Sequence, residues 1–180
     1  MATRLIQLTD LPVSLEEAKL HLRVDNTEED DLIVSLIEAA AMSATNKANR
    51  SFGLTVWEKR LDAFPEAEIR LPYSPVVKVS SVKYKDADGD QQTLAAENFK
   101  LAAADDNASI APVVEWPEGA TDIRVQYLAG YTIGIPSPVR QWMMLHVGHW
   151  YRNREAASEK TLVPVPFGDS LIYPYKIWGV

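Results

Sequence analysis

The 180-residue chain contains no cysteine. That absence excludes disulfide frameworks, thiol nucleophiles and thiolate-held zinc. Glycine is sparse, at 8 residues, and no stretch approaches the roughly 18 consecutive apolar residues of a membrane helix. The opening MATRLIQLTDLPVS has no apolar run of the kind that marks a secretory signal. The expectation is a soluble protein with no membrane partner. Positive charge is also in deficit, since 18 Lys and Arg face 25 Asp and Glu for a net charge of −7. Residues 1–52 carry −4, residues 53–134 carry −5, and residues 135–180 carry +2. Without a basic stripe, a tight grip on nucleic-acid phosphates is not expected.

What is present is a hydrophobic fraction of 47%, enough to bury a core and to argue against general disorder. The chain falls into three textures. In residues 1–52, Ser14 and Glu17 form the S-x-x-E signature of a capping box, which predicts a helix over 15–22. Glu28, Glu29, Asp30 and Asp31 make an acidic first turn suited to the positive end of a helix dipole. Leu32, Ile33, Leu36, Ile37, Ala40, Ala41 and Ala44 follow at helical spacing, predicting a helix over 28–50 that stops near Gly53.

Residues 53–134 switch to period two. Thr55, Trp57 and Leu61 share a face that Lys59 interrupts, and Ile123, Val125 and Tyr127 alternate with Asp122, Arg124 and Gln126. Val77 and Val79, then Val82 and Tyr84, predict a strand with a register shift near Ser80 and Ser81. Turn residues between them complete a small antiparallel sheet of five to seven strands. In residues 135–180, Pro136 and Pro138 introduce a helical stripe of Val139, Trp142, Met143, His146, Val147 and Trp150, predicting a helix over 138–154. The fold class expected is α+β. Residues 1–52 and 135–180 form a helical core with a C-terminal tail, and residues 53–134 form an inserted antiparallel β domain.

Chemical constellations are weak. Asp86, Asp88, Asp90 and Glu97 occupy positions 1, 3, 5 and 12 of a calcium-loop register, but Gln91 stands where glycine is required. A hairpin turn at Asp88-Gly89 explains the segment better. His146 and His149 are spaced for a shared metal, yet His146 lies on the apolar stripe and no third ligand but Glu155 is evident. His21 reads as a packing or surface residue. No nucleophile elbow, phosphate loop or dinucleotide fingerprint occurs. Neither catalysis nor a cofactor or metal is expected.

The informative excess is aromatic. Trp116, Trp142, Trp150 and Trp178 lie in the last 65 residues with Tyr151, Tyr173 and Tyr175. Two readings stand side by side: these residues fill the core of the single chain, or they form an interface. The interface reading takes Trp150, Tyr151, Arg152, Arg154, Phe167, Tyr173, Tyr175 and Trp178 as candidate assembly residues. It treats the polar stretch 156–161 as a flexible lead for an aromatic segment over 163–180.

The order of motifs resembles a known family. LPVSLEEAKLHLRVDNTEEDDLIVSLIEAA is similar to the opening of tailed-phage head–tail connector (adaptor, DNA-packaging) proteins, through Ser14, Leu15, Glu17, Ala18, Lys19, His21, Leu22, Arg23, Asp25, Asp30 and Asp31. YLAGYTIGIPSPVRQWMMLHVGHWYRNREA resembles the family's later helix through Gly130, Tyr131, Pro136, Val139, Tyr151, Asn153, Arg154 and Glu155. VPFGDSLIYPYK is similar to its closing motif, with Lys176 where arginine is usual. The long middle stretch resembles larger members with a β-rich insert.

The resemblance implies a homo-oligomeric ring of about a dozen subunits between a portal protein and a tail or stopper protein. DNA would pass through it without specific binding. It implies a virion location, with host cytoplasm during assembly, and neither cofactor nor catalysis. The alternative from another class is a prophage-encoded module binding a small ligand or peptide.

Overall fold

The capping box at Ser14 forms as its sequence requires. The Ser14 hydroxyl accepts from the Glu17 amide at 3.1 Å, and the Glu17 carboxylate accepts from the Ser14 amide at 3.1 Å. The computed structural model describes residues 2–103, 106–153 and 168–178. Helix α1 spans Leu15–Leu22, α2 spans Asp30–Ala48, and α3 spans Ser137–Arg152. A short α4, Gly168–Ile172, continues into a 3₁₀ turn at Tyr173–Tyr175. Helix α2 stops earlier than expected. Asn49, at φ 52°, takes the left-handed capping position, so Gly53 is not the stop.

Eight strands are present among the described residues: β1 Ala2–Leu8, β2 Thr55–Leu61, β3 Ile69–Leu71, β4 Val76–Lys85, β5 Gln91–Leu94, β6 Phe99–Ala102, β7 Ala108–Pro112 and β8 Thr121–Ala129. They form two antiparallel sheets, ordered β1-β2-β8-β4-β5 and β3-β7-β6, where one had been expected. The α+β class stands. The register shift expected near Ser80 occurs between Val79 and Ser81, and a second lies between Val76 and Lys78. That second shift buries Val76 and leaves Val77 exposed, against the expected alternation. The β8 alternation holds, with Ile123, Val125 and Tyr127 fully buried.

Strand β1 corrects the reading of residues 1–52 as a purely helical stretch. Its side chains are mostly exposed, so no hydrophobic period marks it. It is held by the ladder to β2 and by Arg4, whose guanidinium lies 2.8 Å from the Glu58 carboxylate. Glu58 is buried at 3% exposure and also accepts from Arg60 Nε at 2.7 Å and Gln126 Nε2 at 3.0 Å. Burial alone raises the Glu58 pKa, but the hydrogen bonds from Arg60 and Gln126 and the two arginine charges outweigh it, holding the carboxyl below its ordinary value.

A carboxylate lowered on folding adds stability above its unfolded pKa of about 4.3, and that stability is lost as pH falls through the folded value. Glu58→Gln is therefore expected to cost about 1–2 kcal/mol at pH 7, with the gap to wild type closing in acid. Thermal melts of both proteins from neutral pH down to about 3 check this. A gap that stays constant over that range would sink the assignment.

Two apolar clusters result. Ile33, Ile37, Ala40, Ala44, Trp142, Met143 and Val147 join α2 to α3, with Ile172 of α4 sealed against them. Trp57, Ile69, Val82, Ile110, Ile123 and Tyr127 fill the space between the sheets, and Met42 of α2 packs on that cluster. The two clusters meet where β2 and β8 connect to the helices. There Gly130, at φ +133°, brings its backbone against Gly53 so closely that an added Cβ would lie 2.2 Å from the Gly53 carbonyl oxygen. Only glycine fits such an approach.

Candidate assembly surface

Of the eight candidate residues, Arg154 and Phe167 lie outside the described residues. The others separate into two groups. Trp150 and Tyr151 are part-buried against the helical cluster. The Trp150 ring meets His146 edge-on at 5.6 Å, and the Tyr151 hydroxyl donates to the Glu29 carboxylate. Tyr175 also packs on the helices. Arg152 is exposed at the end of α3. Tyr173 and Trp178 are each 62% exposed, and their rings meet edge-on at 5.4 Å. Lys176 places its ammonium 4.4 Å from the Trp178 ring centroid, a cation–π contact.

Over 168–178 the C-terminal segment folds on its own chain, as the core reading of these aromatics expects, while Tyr173 and Trp178 stay exposed. Ile172 and Ile177 are buried. The Ile177 amide donates to the Ala48 carbonyl at 2.8 Å, and Asn49 Nδ2 donates to the Ile177 carbonyl at 3.2 Å. The first of these bonds satisfies a carbonyl that the end of α2 leaves without a helical partner. The polar stretch 156–161 lies outside the described residues.

Arg50, just past that helix end, is the residue that sequence reasoning missed. It is 7% exposed. Its Nε donates to the Tyr175 carbonyl at 2.8 Å, its Nη1 to the Tyr131 hydroxyl at 3.4 Å, and its Nη2 pairs with Asp106. One buried guanidinium thus ties the tail, the loop after β8 and the loop before β7 together. In the sequence it counted as one base among eighteen, and its burial had no signal.

Beside it, a cleft of about 490 Å³ opens between β2, β3, the β3–β4 turn and the tail, lined by Lys59, Arg70, Tyr73, Asp106, Lys176 and Trp178 among others. Lys59 sits on the core-facing register of β2, which is why it broke the apolar alternation. Its ammonium snorkels to the Arg70 carbonyl at 2.6 Å. Burial, and then the neighbouring Arg70 charge, hold it below the ordinary lysine pKa. Tyr73 adopts φ +62°, a costly conformation for a bulky residue. It is held there by stacking on Trp57 at 3.9 Å and by its carbonyl accepting from the Ser51 amide at 3.3 Å.

The chemical decoys resolve as local structure. The Asp86 carboxylate accepts from Gln92 Nε2 at 2.7 Å, from the Asp90 amide at 2.9 Å and from the Asp88 amide at 3.1 Å, closing the β4–β5 turn. Those bonds, from Gln92 first, hold its pKa below the ordinary aspartate value. His146 Nδ1 lies 2.8 Å from the Trp142 carbonyl, and its ring stacks on Trp142 at 3.7 Å. His21 packs where a Cβ on Gly148 would touch it. Among the described residues, no group of three or more His, Asp or Glu is placed to hold a metal ion. No helix among them is long and apolar enough to cross a membrane.

Residues 12–99, from just before α1 to the first residue of β6, match the family described as phage gp6-like head-tail connector protein. Over that segment, just under half of the chain, the sequence is similar to this head–tail connector family. The motifs noted in 127–156 and 165–176 lie beyond the matched segment. The fold of the whole chain is similar to that of chains in gene transfer agent (GTA) particles. One, in the neck of an empty particle computed with C6 symmetry, aligns at a TM-score of 0.79 and 19% identity, over 100% of this chain and 97% of the other. A chain in the virion of the native particle gives the same values. A chain in the neck of the native particle computed with C12 symmetry aligns at 0.76 and 20% identity, with the same coverage. At these identities the likeness establishes the fold. A comparison with curated proteins finds no match.

Proposed function

We propose that the protein is a non-catalytic neck component of a phage-like virion, assembling as a ring of about a dozen copies between portal and tail. The observation that carries this reading is the end-to-end fold agreement with neck chains of particles computed with C6 and C12 symmetry. The connector family match over 12–99 supports it independently. On the surface, the exposed pair Tyr173 and Trp178 offers aromatic anchors on a segment that α2 and Arg50 hold in place. Preorganised aromatics of this kind are typical interface hot spots. The acidic balance suits a channel through which DNA slides, because weak phosphate attraction leaves the duplex free to move. Assembly takes place in the bacterial host cytoplasm, and the finished location is the virion.

Native mass measurement over a concentration series tests the reading. A closed oligomer of about twelve copies, forming alone or on addition of the portal, is the expected result. A strict monomer in both settings, stabilised instead by a small ligand or peptide, would favour a binding module.

A further inference from the structure

Within a chain of net charge −7, the cleft beside the tail gathers three cations, Lys59, Arg70 and Lys176. Among the described residues, the carboxylate lining it is Asp106, which is already paired with buried Arg50. Among the described residues, the ion pair of Arg70 is a long contact to Glu68, at 3.7 Å, with both side chains well exposed. The cleft thus holds positive charge that its own walls leave under-compensated. Exposed Tyr173 and Trp178 lie on the segment that forms its rim.

The opposite chemistry sits at the other end of α2. Asp25, Glu28 and Asp31 are exposed there, and no salt bridge to any of them is present among the described residues. Leu20, 82% exposed, follows Lys19, whose pair with Asp30 at 2.6 Å ties the end of α1 to the start of α2. The cleft wall at Ile177 is hydrogen-bonded to Ala48, the last residue of α2. From Asp31 to Ala48 the helix rises about 25 Å, so the acidic end and the basic cleft cannot meet within one chain.

We infer that the cleft formed by Lys59, Arg70 and Lys176 receives the acidic start of α2, around Glu28 and Asp31, from a second copy of the chain. Two different patches at opposite ends of one helix make a head-to-tail contact, and such contacts close into rings when the rotation permits. Leu20 of the incoming copy would then meet the Tyr173 and Trp178 rings, adding an apolar centre to the charged rim. This inference rests on the ring reading above and identifies one of its subunit contacts.

The test uses the full-length chain and two charge-reversed variants, Arg70→Glu/Lys176→Glu and Glu28→Lys/Asp31→Lys. Circular dichroism melts establish that each is folded, and all changed positions are exposed or line the open cleft. Each variant alone is expected to need at least about tenfold more protein to oligomerise, as seen by sedimentation velocity. Mixing the two is expected to restore assembly, because each acidic cleft then faces a basic end and the reverse. Raising salt to about 0.5 M should weaken the wild-type oligomer in the same way.

Oligomers from both variants at wild-type concentrations would overturn this contact while leaving the ring intact. Failure of the mixture to assemble, with each variant impaired, would overturn the pairing of these two patches. A wild type that stays monomeric both alone and with the portal present would overturn the contact and the ring together. Tight binding of duplex DNA that only the cleft variant loses, with its oligomers unchanged, would reassign the cleft to nucleic acid.

Discussion

Replacing Gly130 with alanine is expected to lower stability by at least about 3 kcal/mol, a drop of about 6–12 °C in Tm for a chain of this size. The added Cβ would lie 2.2 Å from the Gly53 carbonyl oxygen and 3.0 Å from the Leu54 Cα. Both obstacles are backbone, so no side-chain rotation relieves them. The φ of +133° adds strain for any L side chain. Neither strand can retreat easily, because Thr55 pairs with Ala129 in the ladder and the Gly130 amide donates to the Pro75 carbonyl at 2.8 Å. Gly89→Ala supplies the control. Its φ of +89° carries the conformational cost, but nothing lies within 4 Å of the added Cβ. A loss of only about 1–2 kcal/mol is expected there. Equal losses at the two positions would show that the close approach at Gly130 is not what requires glycine.

Deleting residues 168–180 is expected to destabilise the monomer by several kcal/mol and to expose the helical core to aggregation. Ile172 and Ile177 are 2% and 8% exposed, and losing a buried isoleucine side chain typically costs about 2–5 kcal/mol. The deletion also strips Arg50 of the Tyr175 carbonyl and α2 of the bond from Ile177 to Ala48. A buried guanidinium left short of acceptors adds to the loss. Against a total stability of about 5–15 kcal/mol, this is a large fraction. The melting temperature of the truncated monomer, beside a Tyr173→Ser/Trp178→Ser variant, is the measurement. The double serine variant removes exposed rings and should melt near wild type while assembling poorly. A truncated chain that melts with wild type would return the tail to a purely intermolecular role.

The elements legible in the sequence were those whose cause is local. The capping box at Ser14 and Glu17 needs only its own turn, and the α2 and α3 stripes need only a helical period and an apolar face. The β8 alternation likewise records a sheet with one buried face, whichever strands flank it. Turn chemistry around Asp88-Gly89 was readable for the same reason.

What depended on distant partners was not legible. Strand β1 carries no period because it gains its ladder and the Arg4–Glu58 pair from a strand more than fifty residues away. Lys59 looked like an interruption until the Arg70 carbonyl showed where its ammonium goes. Arg50, Gly53 and Gly130 carry no pattern of their own, since burial and close approach are properties of the packed whole. The aromatic tail announced itself by composition, but composition is the same for a core and for an interface. Which rings became which was decided by the end of α2. There the Ala48 carbonyl, the Asn49 side-chain amide and the Arg50 guanidinium bond the backbone of Ile177 and Tyr175, and Tyr173 and Trp178 are left exposed.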